Sequence, residues 1–226
     1  MADYRPAPPP WTLTGRAYAI PLRLPDTQRI AQSGVPETLG TPRGRYSVMM
    51  FVDYSDSDVG PYHELLFIPG TCDLGPCEGG RRERHRSIGR IYVSSHDSVI
   101  NGRLNWGIPK DQAEFRVEQA GRVEHISVAR EGKVFCRLTL KRGRLGVPLP
   151  GGLIPARLRT LGQVRDGKRF LYTPGASGRL GLGTLLDGWA DGEHFPEIQA
   201  GKALTGGYLS SFRMTFPLAR ISDWPT

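Results

Sequence analysis

The chain has 226 residues, 38% of them apolar and 23% charged, with a formal net charge of +8. That length suffices to bury a sizeable core, and the composition is that of an ordinary folded domain, which excludes a disordered or fibrous chain. No run of about 18 apolar residues occurs, so no membrane helix and no membrane partner are expected.

Met1 to Pro10 is proline-rich and polar, and is read as a flexible or extended arm. It lacks the apolar centre of a signal peptide, so a cytoplasmic location is expected. Asp26 to Gln32, after Pro25, reads as a short helix. Tyr46 to Tyr54 is rich in β-formers, and Tyr62 to Ile68 is an apolar run closed by Pro69-Gly70. Ile91 to Val93 begins a third strand. Asp97 is read as the cap of a second helix over Ser98 to Leu104. Ala113, Phe115 and Val117 alternate with Glu114, Arg116 and Glu118, the period of a half-buried strand. Val134, Cys136, Leu138 and Leu140 alternate with Arg137, Thr139 and Lys141 in the same way. Arg169 to Thr173, Leu180 to Leu186 and Phe212 to Ile221 complete the strand-like runs, the last made an edge or bulged strand by Pro217.

Glycines (29) and prolines (19) are scattered throughout, and no linker divides the chain. The expectation is one mainly β domain over residues 1–226, α+β with few short helices, built as a barrel or a sandwich. Periodicity alone does not choose between these two.

Three cysteines without framework spacing argue against a secreted disulfide scaffold. Cys72, Cys77 and His85 lack a fourth ligand, so no metal site is expected. The densest basic cluster, Arg81, Arg82, Arg84, His85 and Arg86, is interrupted by Glu83 and lacks interleaved aromatics. A solvated loop therefore explains it better than a nucleic-acid surface.

The segment Asn101-Gly102-Arg103-Leu104-Asn105-Trp106-Gly107-Ile108-Pro109-Lys110 carries the most chemistry. Lys110 follows Trp106, Ile108 and Pro109. Apolar burial disfavours an ammonium and lowers its pKa. A neutral lysine attacks a ketone and forms an iminium, an electron sink that lets a neighbouring bond break. From composition alone, a solvated lysine after a turn proline is the favoured reading.

Gly102-Arg103, followed shortly by Pro109-Lys110, resembles the motif around the Schiff-base lysine of acetoacetate decarboxylases. Gly60-Pro61-Tyr62-His63-Glu64 resembles that family's Tyr-x-Glu segment, and Gly15-Arg16-Ala17-Tyr18 its early Arg-x-Tyr segment. The three fall in family order, and the resemblance spans roughly Trp11 to Ile221. It implies a single domain with a conical β-barrel enclosing Lys110, assembly into a homo-oligomer, and no cofactor. It also implies that Lys110, Glu64 and Arg16 lie in the active site. Two departures stand out. Asp111 replaces the family's second lysine, and an ungapped comparison backward from Glu64 places Met49 where the family has another glutamate.

The resemblance implies a lyase that forms a Schiff base between Lys110 and a small oxo acid, decarboxylating a β-oxo acid. The same imine would also serve an aldolase-dehydratase acting on pyruvate plus an aldehyde. A non-catalytic ligand-binding barrel is the rival from another class. Glu64 stands within Leu65, Leu66, Phe67 and Ile68, an unusual place for a carboxylate, and a buried charge needs a partner. Arg16 is the expected partner and the expected ligand of the substrate carboxylate, since its planar fork suits carboxylates. Trp106, Ile108, Met49 and Phe67 are read as pocket walls, though core packing explains each equally well.

Overall fold

The computed structural model describes residues 4–76, 80 and 82–224. β1 (Trp11–Arg23) is followed by α1 (Asp26–Ala31), β2 (Ser47–Asp56), β3 (Tyr62–Ile68), β4 (Thr71–Pro76), β5 (Arg82–Arg86) and β6 (Arg90–Val93). α2 (His96–Trp106) leads into β7 (Lys110–Gln112), β8 (Glu114–Ala120), β9 (Val123–Arg130) and β10 (Lys133–Leu149). After α3 (Ala156–Arg159) come β11 (Leu161–Arg165), β12 (Lys168–Tyr172), β13 (Gly175–Ala190), β14 (Lys202–Ala203), β15 (Gly206–Phe216) and β16 (Arg220–Asp223). The mainly β expectation is met, with short helices only. The apolar run from Tyr62 to Ile68 forms a strand over those same residues.

The large sheet has the order β7-β6-β3-β2-β1-β15-β13-β10-β9-β8, with β14 added beside β1. Its two end strands, β7 and β8, are separated in the chain by Ala113 alone, so the sheet must curl until its ends nearly meet. Packing shows the closure directly. Tyr92 on β6 and Phe135 on β10 meet in a tilted pair with ring centroids 4.6 Å apart across the lumen. Tyr18, Phe51, Leu65, Phe67, Ile126 and Leu138, drawn from strands all around the sheet, fill that lumen as one cluster. The choice left open by periodicity is thereby settled as a nearly closed barrel.

A second, smaller sheet, ordered β16-β12-β11-β5-β4, covers part of the barrel's outer face. Between the two lies another core, with Trp11, Tyr54, Tyr62, Val93, Trp106 and Phe170 among its members. Trp11 and Trp106 meet edge to face at 5.1 Å, and the Trp106 indole N–H donates to the Pro217 carbonyl at 2.7 Å. Fully burying such rings removes a large apolar area from water, and it gives the indole N–H a partner it would otherwise lack.

Three local expectations are corrected. The run Phe212 to Ile221 is not one strand: β15 ends at Phe216, and β16 joins the other sheet. Pro217 has no N–H with which to continue a ladder. The cap of α2 is Ser95, whose hydroxyl accepts from the Ser98 amide at 3.2 Å, while Asp97 accepts from the Arg5 amide at 3.1 Å instead. β1, which pairs with both β2 and β15, is absent from the strand-like runs read above.

The proline-rich arm is bound to α2 over residues 5–11. The Asn101 side chain accepts from the Ala7 amide at 2.8 Å and donates to the Arg5 carbonyl at 2.8 Å. The Ala7 carbonyl accepts from both Asn105 Nδ2 and Trp11 Nε1, each at 2.8 Å. Residues 77–79 and 81, which include Cys77 and Arg81 of the thiol and basic clusters, lie outside the described residues.

Candidate active site

Lys110 is placed by the way α2 ends. Gly107 adopts φ +64°, the left-handed turn that glycine enters at little cost. The Gly107 and Ile108 amides bond back to the Arg103 and Gly102 carbonyls at 3.1 and 3.3 Å. Pro109 then prevents the helix from resuming. The chain reverses into β7, pairs in parallel with β6, and carries the Lys110 side chain back beneath α2. Gly102 leaves room for it: a Cβ there would lie 2.7 Å from Lys110 Cδ.

The amine is enclosed, with the Lys110 and Glu64 side chains each 5% exposed. Lys110 Nζ lies 2.9 Å from Glu64 Oε2 and donates to Ser98 Oγ at 2.9 Å and to the Tyr62 hydroxyl at 3.5 Å. The Tyr54 hydroxyl donates to Glu64 Oε1 at 3.2 Å. Tyr62 also presents its ring 5.2 Å from Nζ, so the cation meets a π face as well as a hydroxyl. The surrounding side chains are otherwise those of the inter-sheet core.

This arrangement corrects the expected direction of the Lys110 pKa. Burial does pull it down, but the Glu64 carboxylate and Tyr62 push it up and outweigh the burial. The resting group is an ammonium held above the ordinary lysine value. Burial raises the Tyr62 and Tyr54 hydroxyls as well, with Glu64 adding to both. Asp111 plays no part in this balance at close range: it is half-exposed and bound to Arg103, whose Nε also donates to the Lys110 carbonyl at 2.8 Å.

Arg16 is not brought to this site. Cross-strand register puts Arg16, Asp53 and His63 in one row and Ala17, Val52, Glu64 and Val93 in the next. Adjacent rows point to opposite faces of a sheet. Arg16 therefore projects toward the barrel lumen, where it pairs with Asp53 at 2.9 Å and with Glu124 at 3.2 Å. The expected Arg16–Glu64 pair is replaced by Lys110–Glu64. Met49 and Phe67 belong to the lumen cluster and do not wall the lysine, whereas Trp106 and Ile108 share the core into which Glu64 and Lys110 project. The lysine itself lies on the outer side of the barrel sheet, under α2, and not inside the barrel. Tyr62, Tyr54 and Ser98 were not singled out in the sequence. Tyr62 had a readable signal, since it shares a strand face with Glu64 two residues away.

Glu124 is fully buried and accepts from the Tyr18 hydroxyl at 2.9 Å, with Arg142 at 3.7 Å. Arg16→Met is therefore expected to destabilise the fold by about 1–3 kcal/mol, because a buried carboxylate loses its nearer cation. Urea unfolding checks this, and an unchanged midpoint would show that Arg142 and Tyr18 suffice for Glu124.

Among the described residues, Asp191, Glu193 and His194 stand close enough to share a cation. Asp191 is already committed, however. One of its oxygens accepts the Glu193 and His194 amides, and the other meets His194 Nδ1 at 2.7 Å. No helix among the described residues is long and apolar enough to cross a membrane.

Residues 8–149 match the family model described as acetoacetate decarboxylase. No curated protein shows significant sequence similarity to the chain. The acetoacetate decarboxylase of Legionella pneumophila subsp. pneumophila str. Philadelphia 1 superposes with a TM-score of 0.64 at 14% identity, over 99% of this chain and 93% of that one. An acetoacetate decarboxylase-like enzyme from Sphingomonas wittichii RW1 gives 0.66 at 14%, over 97% and 95%. The enduracididine biosynthesis enzyme MppR, complexed with the condensation product of pyruvate and imidazole 4-carboxaldehyde, gives 0.64 at 14%, over 98% and 92%. At these identities the superpositions establish a common fold.

Proposed function

Because the chain belongs to the acetoacetate decarboxylase family, we propose that it is a lyase in which Lys110 forms a Schiff base with a small oxo acid, most simply decarboxylating a β-oxo acid. The observation that carries this reading is the lysine–glutamate pair at 2.9 Å, buried in an otherwise largely apolar core. A structural ion pair gains little there over well-packed apolar side chains, since desolvation offsets most of the attraction. A reactive amine with a proton acceptor beside it gives the pair a purpose.

The raised Lys110 pKa sets the first step. The proton moves from Nζ to Glu64, which leaves the total charge of the pair at zero. The freed amine attacks the keto carbon, and water leaves to give the protonated imine. The bond to the carboxylate carbon then breaks, its electron pair passes into the imine to form an enamine, and CO2 departs. A proton returns to carbon, and water hydrolyses the imine to release ketone and amine. Glu64, with the Tyr54 hydroxyl on its other oxygen, is the group in reach to hold the travelling proton.

A second reading uses the same imine. Pyruvate would form an enamine by loss of a methyl proton to Glu64, then add to an aldehyde and dehydrate. MppR, whose complex contains a product of pyruvate and an aldehyde, supports keeping this reading.

Borohydride reduction in the presence of acetoacetate or pyruvate, followed by peptide mass mapping, tests the proposal. The expected result is one substrate-derived adduct, on the Lys110 peptide. Adducts distributed over several lysines, or none with either acid, would favour the non-catalytic barrel.

Gly102→Ala offers a steric probe. The added methyl meets Lys110 Cδ at 2.7 Å and must displace the side chain. A displacement on that scale is expected to lower turnover by about 10²-fold. Alanine is otherwise favoured in a helix by roughly 1 kcal/mol, so the fold should persist. Circular dichroism and steady-state rates measured together check this.

A further inference from the structure

We propose that the chain carries a second ligand site, distant in function from Lys110, that binds a small molecule bearing two or more phosphate groups. The site is a cleft of about 920 Å³ where the end of β1, α1, the segment after residue 40 and β14 converge. That volume is in the range of small-molecule sites, about 300–1,000 Å³.

Among the described residues, five cations line the cleft, Arg23, Arg29, Arg43, Arg45 and Lys202, with Asp26 the only acid. Asp26 is already paired with Arg29 at 3.0 Å. Four positive charges thus remain without an ion-pair partner among the described residues. Two of them are forced together by the fold, because Arg23 and Lys202 are direct register partners across the β1–β14 ladder. Like charges directly opposite each other destabilise a strand pair. A bound anion would relieve that repulsion, whereas solvent alone only screens it.

The cleft is also built in advance. Arg29 is 4% exposed, and its guanidinium donates to the Pro42 and Pro69 carbonyls at 2.8 and 3.2 Å, which pins α1 to the loop that follows. Arg43 is fixed by two backbone bonds to Thr71, each 2.8 Å. Its side chain therefore projects from a backbone that does not need ordering on binding, and preorganisation of this kind lowers the entropic cost of association.

Charge matching indicates the class of ligand. A terminal phosphate group carries about −1.5 to −2 at neutral pH. Two such groups balance four cations, whereas a single small carboxylate leaves most of them unmatched. Arginine forks suit phosphate oxygens bidentately. The surface is a concave cleft rather than a strip, which fits a compact polyphosphate better than a nucleic-acid strand. None of the residues involved belongs to the Lys110 site, so this inference stands whether or not the Schiff-base reading does.

Isothermal titration calorimetry with inorganic tripolyphosphate and with ATP tests the site. The expected result is saturable binding of one equivalent that persists at about 0.15 M salt. Affinity should fall at least tenfold in the triple variant Arg43→Gln, Arg45→Gln, Lys202→Gln, whose three positions are all exposed. Equal affinity for both ligands would identify the phosphate chain as the recognised group; tighter ATP binding would show that an organic body adds contacts. No saturable binding of either ligand, binding abolished by 0.15 M salt, or unchanged affinity in the triple variant would overturn the proposal.

Discussion

Lys110→Gln is expected to abolish turnover, by at least about 10³-fold, because removing a covalent nucleophile removes every step that depends on it. The borohydride adduct should vanish with it. Glutamine keeps a polar group near Ser98 and Glu64, and this limits the loss of stability relative to an apolar replacement. Retention of more than a tenth of the wild-type rate would exclude an imine at this position, whatever the fold. Glu64→Gln separates proton handling from nucleophilicity. It removes the carboxylate that, with Tyr62, holds the Lys110 pKa up against burial, so that value should fall. Amine-selective labelling of Lys110 in Glu64→Gln should therefore begin at lower pH than in the wild type. Catalysis should nevertheless fall by about 10²–10⁴-fold, the usual worth of a positioned acid–base group.

The second large effect is on stability. Breaking a buried pair by removing one partner costs about 3–5 kcal/mol, since the other charge stays buried and unpaired. Lys110→Met strands the Glu64 charge, and Glu64→Gln strands the ammonium. The double variant strands neither, so its loss should be clearly smaller than the sum of the two single losses. Urea denaturation of the three variants measures this directly, and strict additivity would mean that the 2.9 Å contact carries no coupling. The pH dependence has a definite sign. The folded pKa of Lys110 lies above its unfolded value of about 10.4, so this group's contribution to stability is complete below that pH. It is lost only as pH rises through the folded value. Wild-type stability should therefore show no step from Lys110 between pH 6 and about 10, and a loss beyond it.

The sequence revealed parts of the site unevenly, for physical reasons. Tyr62 to Ile68 was readable because it is a short apolar run that Pro69-Gly70 closes. Lys110 was readable because it follows the apolar Trp106, Ile108 and Pro109, and because Gly102-Arg103 with Pro109-Lys110 resembles the family motif. The pairing of Arg16 was not. Parity along one strand says which residues share a face, but it does not say which face of one strand lines up with which face of another. That depends on register, here Arg16 opposite Asp53 and Val52 opposite Glu64, and β1 shifts register against β2 between Thr14 and Gly15. Met49 failed similarly: counting back from Glu64 without gaps assigns a position but not a face. The raised Lys110 pKa was hidden for the same reason, since the apolar neighbours were visible in the sequence while Glu64 and Tyr62, which together outweigh the burial, came from another strand.

Strand β7, which bears the lysine, is three residues long and hydrogen-bonds to β6 on one side only, at the edge of the large sheet. Elements with so few backbone bonds open locally at a small fraction of the global unfolding free energy. The β7 edge is thus expected to open at lower cost than the long central strands β1 and β2. Amide hydrogen exchange at Lys110, Asp111 and Gln112 should run well ahead of exchange in β1 and β2. Under the proposed Schiff-base reading, the enclosed amine is expected to be reached through such local opening, so exchange at β7 and turnover should respond together to changes at this edge.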